Sequence, residues 1–252
     1  MNLIRIIYKP STIIIMKKYF FFTLSFILFI LFACSKYDHE IYDQPIKKEK
    51  ISLQNMGEVH NYLLELRRST HQKDDFEAVK NGQIKFEDFY KAFTEELNQN
   101  DRYIVNPTVT KAFDNEVFEK IMNLSINKDF YIKARELALA YLYSNSDINQ
   151  DVTEAIAKIS DIDYYLTDDE ISDIINSNKN KKGGQLLIVF KNIYQSSSEY
   201  WNTKRVLTKS SQSRSIMIAD GIGGVLGTTC SGVMGIIWAT AFSYALDACY
   251  DI

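Results

Sequence analysis

Apolar residues recur at three- and four-residue intervals over most of residues 52–210, which is the spacing of helices with one buried face. The clearest faces are Val59, Tyr62, Leu63 and Leu66; Phe86, Phe89, Phe93 and Leu97; Phe113, Val117, Phe118, Ile121 and Met122; and Phe130, Ala134, Leu137, Ala138 and Tyr141. Residues 185–194 would also suit a buried strand, but Trp201 extends the helical spacing past them. The pattern therefore predicts an all-α fold with a multi-helix domain over residues 52–210.

Short oxygen-bearing side chains mark three helix starts in this region. They are Asn106 before Pro107, Asp151 with Glu154, and Thr167 with Glu170. Such a side chain accepts hydrogen bonds from the free amides of the first turn, and an acid three residues later bonds back to it. Because these signals agree with the apolar spacing, we expect a helix to begin at each.

A second pattern lies near the C-terminus, where residues 221–246 carry no charge and six of the ten glycines fall between Gly221 and Gly235. Small residues stand at every fourth position, as in a glycine zipper: Ala219, Gly223, Gly227, Ser231, Gly235, Ala239 and Ser243. Residues four apart form one ridge of a helix, and a ridge of small residues lets another helix approach closely. We predict an apolar helix or helical hairpin over residues 215–249, with this ridge as its packing surface.

Three roles compete for residues 215–249. They pack within the domain or against a second copy, they insert into a membrane, or they act as the apolar tail of a bacteriocin-like protein. About 20 apolar residues suffice to cross a bilayer, but Asp220 and Asp247 flank the segment with no basic anchor nearby beyond Arg214. Cys230 and Cys249 form a candidate disulfide that would support a hairpin; the alternative is two small buried apolar residues.

The N-terminus has the features of a lipoprotein signal peptide over residues 1–33. Lys17 and Lys18 precede a charge-free apolar run, and residues 31–34 read Leu-Phe-Ala-Cys, which resembles a lipobox. We expect translation to start at Met16, cleavage before Cys34, and acylation of Cys34. A retained transmembrane anchor is the alternative, but the run of 15 residues from Tyr19 is short for a span of about 20.

Residues 34–51 read as a polar tether that follows the acylated cysteine. Acids soon after the cysteine, at Asp38, Glu40 and Asp43, resemble the signal that sends lipoproteins of Bacteroidetes to the cell surface. A linker facing the periplasm is the alternative. The expected location is therefore the outer membrane, with the body on its periplasmic or its external side.

Charge narrows the range of partners. Loss of the leader removes four of the 29 basic residues and none of the 32 acids, so the mature chain carries a formal charge of −7. This charge disfavours nucleic acid and anionic lipid as partners. Attachment to a membrane must then come from acyl chains on Cys34, with self-association through the C-terminal segment as a further expectation.

The sequence lacks the common catalytic and metal-binding motifs. The sequence contains no phosphate-binding loop, no His-Glu-x-x-His and no Gly-x-Ser-x-Gly, and we expect neither cofactor nor metal. Residues 147–158 imitate half of a calcium loop, but Val152 replaces the required glycine and Lys158 the closing glutamate. Helix capping explains these residues better, and no catalytic residue is assigned.

Residues 57–61, which read Gly-Glu-Val-His-Asn, are the one short element with a candidate functional role. Together with the pair Tyr200 and Trp201 and the glycine-rich residues 220–235, it resembles a group of uncharacterised exported lipoproteins of Bacteroidetes. The resemblance implies placement outside the cytoplasm and a helical body, but no activity. His60 and Asn61 are a candidate functional pair, and fixing the first helix against its neighbours is their alternative role.

These observations favour a non-enzymatic envelope lipoprotein that binds a partner. The alternatives are a hydrolase-type enzyme using His60 and a membrane-inserting, bacteriocin-like protein. An open cleft holding His60 beside an acid and a nucleophile would support the enzyme.

Overall fold

The helical spacing of the sequence is realised as an all-α, multi-helix architecture. In a computed structural model of the chain, the described residues are 48–104, 116–204, 210–230 and 232–250, and all belong to the unit Lys48–Ile252. Their helices are α1 Met56–Lys80, α2 Phe86–Gln99, α3 Glu116–Met122, α4 Phe130–Ser144, α5 Gln150–Ile159, α6 Asp168–Asn178, α7 Gln185–Lys204, α8 Ser210–Cys230 and α9 Gly232–Tyr250.

Several sequence predictions fall outside the described residues. These are the signal peptide over residues 1–33, the acylation site Cys34, the tether up to residue 47, the helix start at Pro107, and Phe113 and Ser231.

The last residues of the expected tether belong to the body. Strand β1, Glu49–Lys50, pairs in parallel with strand β2, Tyr103–Ile104. Lys48 Nζ also donates to the carbonyl oxygen of Asn100 at 2.8 Å. A polar composition does not prevent backbone pairing, so the body begins at residue 48 rather than at 52.

The apolar faces read from the sequence form the core. Phe86, Phe89, Phe93 and Leu97 of α2 are all fully buried. Residues 185–194, the ambiguous run, lie in α7, and Trp201 is buried on the same helix. Side chains four or three residues apart share one face of a helix, so one regular pattern buries a whole stripe.

Two of the predicted helix starts can be checked. Thr167 caps α6: its Oγ1 accepts from the Glu170 amide at 3.2 Å, and Glu170 Oε2 accepts from the Thr167 amide at 2.8 Å. The start assigned to Asp151 is wrong by two residues, because Asn149 caps α5 by accepting from the Asp151 amide at 2.9 Å. Asp151 instead lies in the first turn, where an acid also suits the helix dipole.

The C-terminal segment is a hairpin of two antiparallel helices, α8 and α9, and its small residues face each other. A methyl group on Gly223 would lie 2.9 Å from Ala239 Cα, and one on Gly227 would lie 2.3 Å from the carbonyl oxygen of Met234. The predicted ridge is therefore folded upon itself, because its members Gly223 and Gly227 on α8 meet Ala239 and Gly235 on α9.

The hairpin also contacts the rest of the body at close range. The outer side of α8 packs on α7, where methyl groups on Gly221 and Gly224 would lie 2.5 Å from the Phe190 ring and 2.2 Å from Ile193 Cδ1. Helix α9 packs on α8, α1, α2 and α4. Its Trp238 ring meets Phe86 and Phe118 at centroid distances of 5.2 and 5.3 Å. Helix α9 is therefore the centre of the fold.

Among the described residues, one helix is long and apolar enough to cross a bilayer. It is α9, whose Val233–Tyr250 stretch has a mean hydropathy of 1.2, and 89 % of that stretch is buried inside the protein. A core helix of a soluble domain has the same composition, so this property alone does not distinguish the two environments.

Replacing Gly227 with alanine should destabilise the protein severely. The added methyl group would collide with backbone atoms of Met234 and Gly235, which cannot rotate away, and we expect a loss of about 3 kcal/mol in unfolding free energy. Gly82→Ala is the control: Gly82 has open space around it but a φ of 65°, so the cost should be about 1 kcal/mol. Urea denaturation measures both values, and equal losses would contradict close packing in the hairpin.

Candidate functional site

The candidate pair His60 and Asn61 lies where α1 crosses α7 closely. Gly57 makes this approach possible, because a methyl group there would lie only 2.0 Å from Ser196 Oγ. One turn later, Asn61 Nδ2 donates to the Ser196 carbonyl oxygen at 2.9 Å. The Gly-x-x-His-Asn element thus joins α1 to α7.

The hydrogen bonds of Asn61 determine the orientation of the His60 ring. Since Asn61 uses its amide nitrogen on Ser196, its Oδ1 is left as the acceptor for His60 Nδ1, 2.9 Å away. His60 Nε2 then points toward Asp220 of α8 and lies 3.5 Å from Asp220 Oδ2. A proton on Nε2 makes this contact an ion pair.

Asp220 also accepts a hydrogen bond from Ser197 Oγ of α7. Serine, aspartate and histidine therefore meet, but Asp220 stands between the other two. Nucleophilic catalysis requires the histidine beside the hydroxyl, so that it can remove the proton. The side chains of His60, Ser197 and Asp220 are all 0 % exposed. This arrangement joins three helices and gives a substrate no access.

Asp247, the second acid that flanks the apolar segment, has a partner on α1, the helix that also carries His60. Asp247, near the end of α9, forms an ion pair with Arg68 of α1, whose guanidinium also lies over the Trp201 ring at 5.0 Å. Arg68 lies far from this segment in the sequence, and the fold brings it to Asp247. Helix α1 supplies His60 for Asp220 and Arg68 for Asp247, and both acids are buried.

A third polar contact fixes α1 to α2 and α9. Arg67 binds both oxygens of Asp75, at 2.7 and 2.8 Å, and Glu96 of α2 at 3.0 Å. Tyr244 of α9 donates to Asp75 at 2.9 Å. Burial, followed by the charge of Asp75, raises the pKa of the Tyr244 hydroxyl, which keeps its proton for this bond.

The pair Tyr200 and Trp201, which is part of the resemblance, also lies against α1. Tyr200 donates to Glu65 Oε2 of α1 at 2.9 Å, and its ring meets Trp201 edge to face at 5.1 Å. Burial raises the pKa of Tyr200, and the bond to Glu65 adds to this effect. The three short elements of the resemblance therefore lie on α1, on α7, and on α8 with the start of α9.

Sequence reasoning missed Ser197 and Arg68 as members of this buried cluster. A signal for Arg68 was present: His60, Leu64 and Arg68 follow at intervals of four, and Leu64 is fully buried. An arginine in line with a buried leucine needs an acid inside the protein. No comparable signal marked Ser197, because three serines stand in a row at residues 196–198.

Cys249 is a free, buried thiol, so the candidate disulfide with Cys230 is not formed. Its Sγ lies 3.1 Å from the carbonyl oxygen of Asn127, which accepts its hydrogen bond. Cys230 ends α8 just before α9 begins, whereas Cys249 lies near the far end of α9, and the rise from Gly232 to Cys249 is about 26 Å at 1.5 Å per residue, which is too far for a bond. The side chain of Cys230 is outside the described set.

An open pocket of about 380 Å³ lies between α6 and α7, away from the buried cluster. Its wall carries Asp168, Ile171 and Ser172 from α6 and Lys191, Tyr194, Gln195, Ser198 and Glu199 from α7. Its size is that of a small-molecule site. Among the described residues, no three His, Cys, Asp or Glu side chains gather as metal ligands do.

Removing the carboxylate of Asp220 should destabilise the fold. Asp220→Ala removes the hydrogen-bond acceptor of Ser197 and the acid beside His60, both of them buried, so we expect a loss of about 3 kcal/mol in unfolding free energy. Asp173→Ala, an exposed acid on α6, is the control and should change stability by less than about 0.5 kcal/mol. A double-mutant cycle with His60→Ala should give a coupling of about 1 kcal/mol or more. Strictly additive losses would contradict the His60–Asp220 interaction.

Cys249 should be unreactive in the native protein. Burial raises the pKa of its thiol to about 12, so little thiolate forms at pH 8. In a variant with Cys34→Ser and Cys230→Ser, we expect iodoacetamide to label Cys249 only after unfolding in urea. Mass spectrometry counts the label, and rapid native labelling would contradict the burial of α9.

Known proteins offer no further guidance on this site. No protein-family model, curated protein or solved structure matches the chain significantly. The resemblance to exported lipoproteins therefore stays an expectation, and function must be argued from the residues and geometry of this chain.

Proposed function

We propose that the protein is a non-enzymatic outer-membrane lipoprotein, anchored by acyl chains on Cys34, whose helical body binds a partner. The lipobox-like sequence before Cys34 supports the anchor. The formal charge of −7 for the mature chain supports a partner other than nucleic acid. The body can lie on either side of the outer membrane in this proposal.

The burial of His60 is the observation that carries the non-enzymatic part. His60 is the residue on which the hydrolase alternative rests, and it is 0 % exposed with its two ring nitrogens directed at Asn61 and Asp220. A general base must reach a substrate proton within hydrogen-bonding distance, directly or through one water. His60 can do so only if α1, α7 and α8 separate, which makes its structural role the better supported one.

Hairpin geometry argues against membrane insertion as the main role of residues 215–249. The charge-free part of α8 after Asp220 has ten residues, about 15 Å at 1.5 Å per residue, whereas the hydrocarbon core is about 30 Å thick. An inserted hairpin would therefore place Asp220 within the lipid, at a cost of several kcal/mol. It would also expose to lipid the glycine face of α8 that now contacts α7.

Replacing Cys34 with serine tests the anchor. We expect the variant to lose labelling by an alkyne fatty acid and to move from the membrane pellet to the soluble fraction, because attachment depends on the acyl chains. Cys230→Ser is the matched control and should keep both the label and the membrane fraction.

Two outcomes would contradict parts of the proposal. Retention of Cys34→Ser in the pellet after an alkaline carbonate wash would support insertion through the hairpin. An unlabelled wild-type protein with an intact leader, seen by mass spectrometry, would remove the lipoprotein assignment altogether.

A further inference from the structure

The pocket between α6 and α7 is held in shape by a buried tyrosine. Tyr194 is only 6 % exposed, and its hydroxyl donates to Asp168 Oδ1 at 3.0 Å, which joins the two walls. Burial, reinforced by Asp168, raises the pKa of Tyr194 to about 12, so the phenol keeps its proton on that bond. Rigid walls lower the entropic cost of binding a ligand.

The charges at the pocket are balanced. Among the described residues, the wall carries the cation Lys191 and the carboxylates of Asp168 and Glu199, and the Arg214 guanidinium lies near Tyr194 on the same wall. A phosphate or sulfate group would therefore meet no excess of positive charge, and a cationic group would meet no excess of negative charge. This balance favours a neutral ligand over a charged one.

The rest of the wall offers a mixture of neutral donors and acceptors. Ser172, Gln195 and Ser198 bring two hydroxyls and one carboxamide, and Ile171 provides a buried apolar floor. A ligand that satisfies such a wall must itself carry closely spaced donors and acceptors, since unpaired polar groups weaken binding. Neutral polyhydroxylated molecules have this property.

An exposed aromatic ring stands on the loop that leads into the pocket wall. Tyr165 is 75 % exposed, and it precedes Asp168 by three residues. The Arg214 guanidinium lies over the Tyr165 ring at 4.1 Å and also donates to the carbonyl oxygen of Leu166. Arg214 therefore holds the ring in place and covers one of its faces, which leaves the other face to solvent.

Arg214 also connects Tyr165 to the pocket itself. It lies close enough to Tyr194 to oppose the rise of that residue's pKa through charge and hydrogen bonding. Tyr165, Arg214 and Tyr194 thus form one connected group. Tyr165 comes from the loop before α6, Arg214 from α8 and Tyr194 from α7.

We propose that this pocket binds a short neutral oligosaccharide, with Tyr165 as the stacking platform for one sugar ring and the α6–α7 wall as the partner of its hydroxyls. A sugar ring has an apolar C–H face and a rim of hydroxyls, so it needs both a flat aromatic surface and adjacent hydrogen-bonding groups. This assignment rests on the proposed function, because it names the partner class of a binding protein.

Calorimetric titration of the full acylated protein in a sugar-free detergent tests the assignment. The probes are cellotetraose, maltotetraose, mannotetraose and chitotetraose, each up to 10 mM, with triglycine and inorganic phosphate as the zwitterionic and anionic arms. We expect at least one tetrasaccharide to bind. Tyr165→Ala and Gln195→Ala should each weaken that binding tenfold or more.

Tyr164→Ala is the matched control, because Tyr164 is 54 % exposed on the same loop but packs on Lys158 rather than on Arg214. It should leave the affinity within twofold of the wild type. Unchanged circular dichroism of Tyr165→Ala will show that the loss of affinity is local. Absence of binding for all four tetrasaccharides, binding of triglycine or phosphate alone, or equal losses in Tyr164→Ala and Tyr165→Ala would each overturn the assignment.

The same experiment separates this assignment from the proposed function. Recovery of the bound tetrasaccharide intact, seen by mass spectrometry, supports a binding protein. Cleavage would overturn the non-enzymatic proposal while leaving the pocket assignment standing. Failure of all sugars to bind would remove the pocket assignment and leave the lipoprotein anchor untouched.

Discussion

The close approach of the α8 and α9 backbones is the constraint on which the rest of the structure depends. At Gly223 and Gly227 the two helices are so near that no side chain fits between them. Such contact requires a surface of small residues, and that surface would be unfavourable in water because glycine weakens a solvated helix. The hairpin must therefore be covered on its other faces, and α1, α2, α4 and α7 cover it.

Covering the hairpin brings two acids inside the protein. Asp220 and Asp247 mark the ends of the apolar run, and a buried carboxylate without a partner is costly. Helix α1 resolves this problem at both ends, with His60 at one and Arg68 at the other. Because the partners are two turns apart on one helix, they also define the register in which α1 packs. We therefore attribute to the polar cluster a role in specifying the fold.

The sequence was sufficient to predict the regular parts of the fold. The three- and four-residue spacing of Phe86, Phe89, Phe93 and Leu97 determines which face of α2 is buried, and local capping chemistry determines where α6 begins. Both depend on residues close in the chain. The start of α5 was misplaced because Asn149 and Asp151 are equally good caps locally, and only the packed structure distinguishes them.

The buried cluster could be predicted only in part, because it depends on contacts between distant residues. His60 and Asn61 were visible as an unusual polar pair, but their partners on α7 and α8 lie more than 130 residues away. The pocket was invisible for the same reason: Tyr194 and Asp168 are unremarkable until α6 and α7 are placed side by side. The position of Asp220 between Ser197 and His60 is likewise a result of the three-dimensional fold. A serine, an aspartate and a histidine considered only by residue type would suggest a catalytic triad.

The position of α9 in the chain has a consequence for biosynthesis. This helix is the centre of the core, yet the ribosome makes it after every other described helix, so α1 and α2 lack one of their main packing surfaces until it emerges. Domains usually fold as they are completed, from the N-terminus onward. Here the nascent chain lacks its central element until late in translation, which keeps it loosely structured for longer. This delay suits the export that we propose for the chain, since a translocation channel accepts unfolded chains.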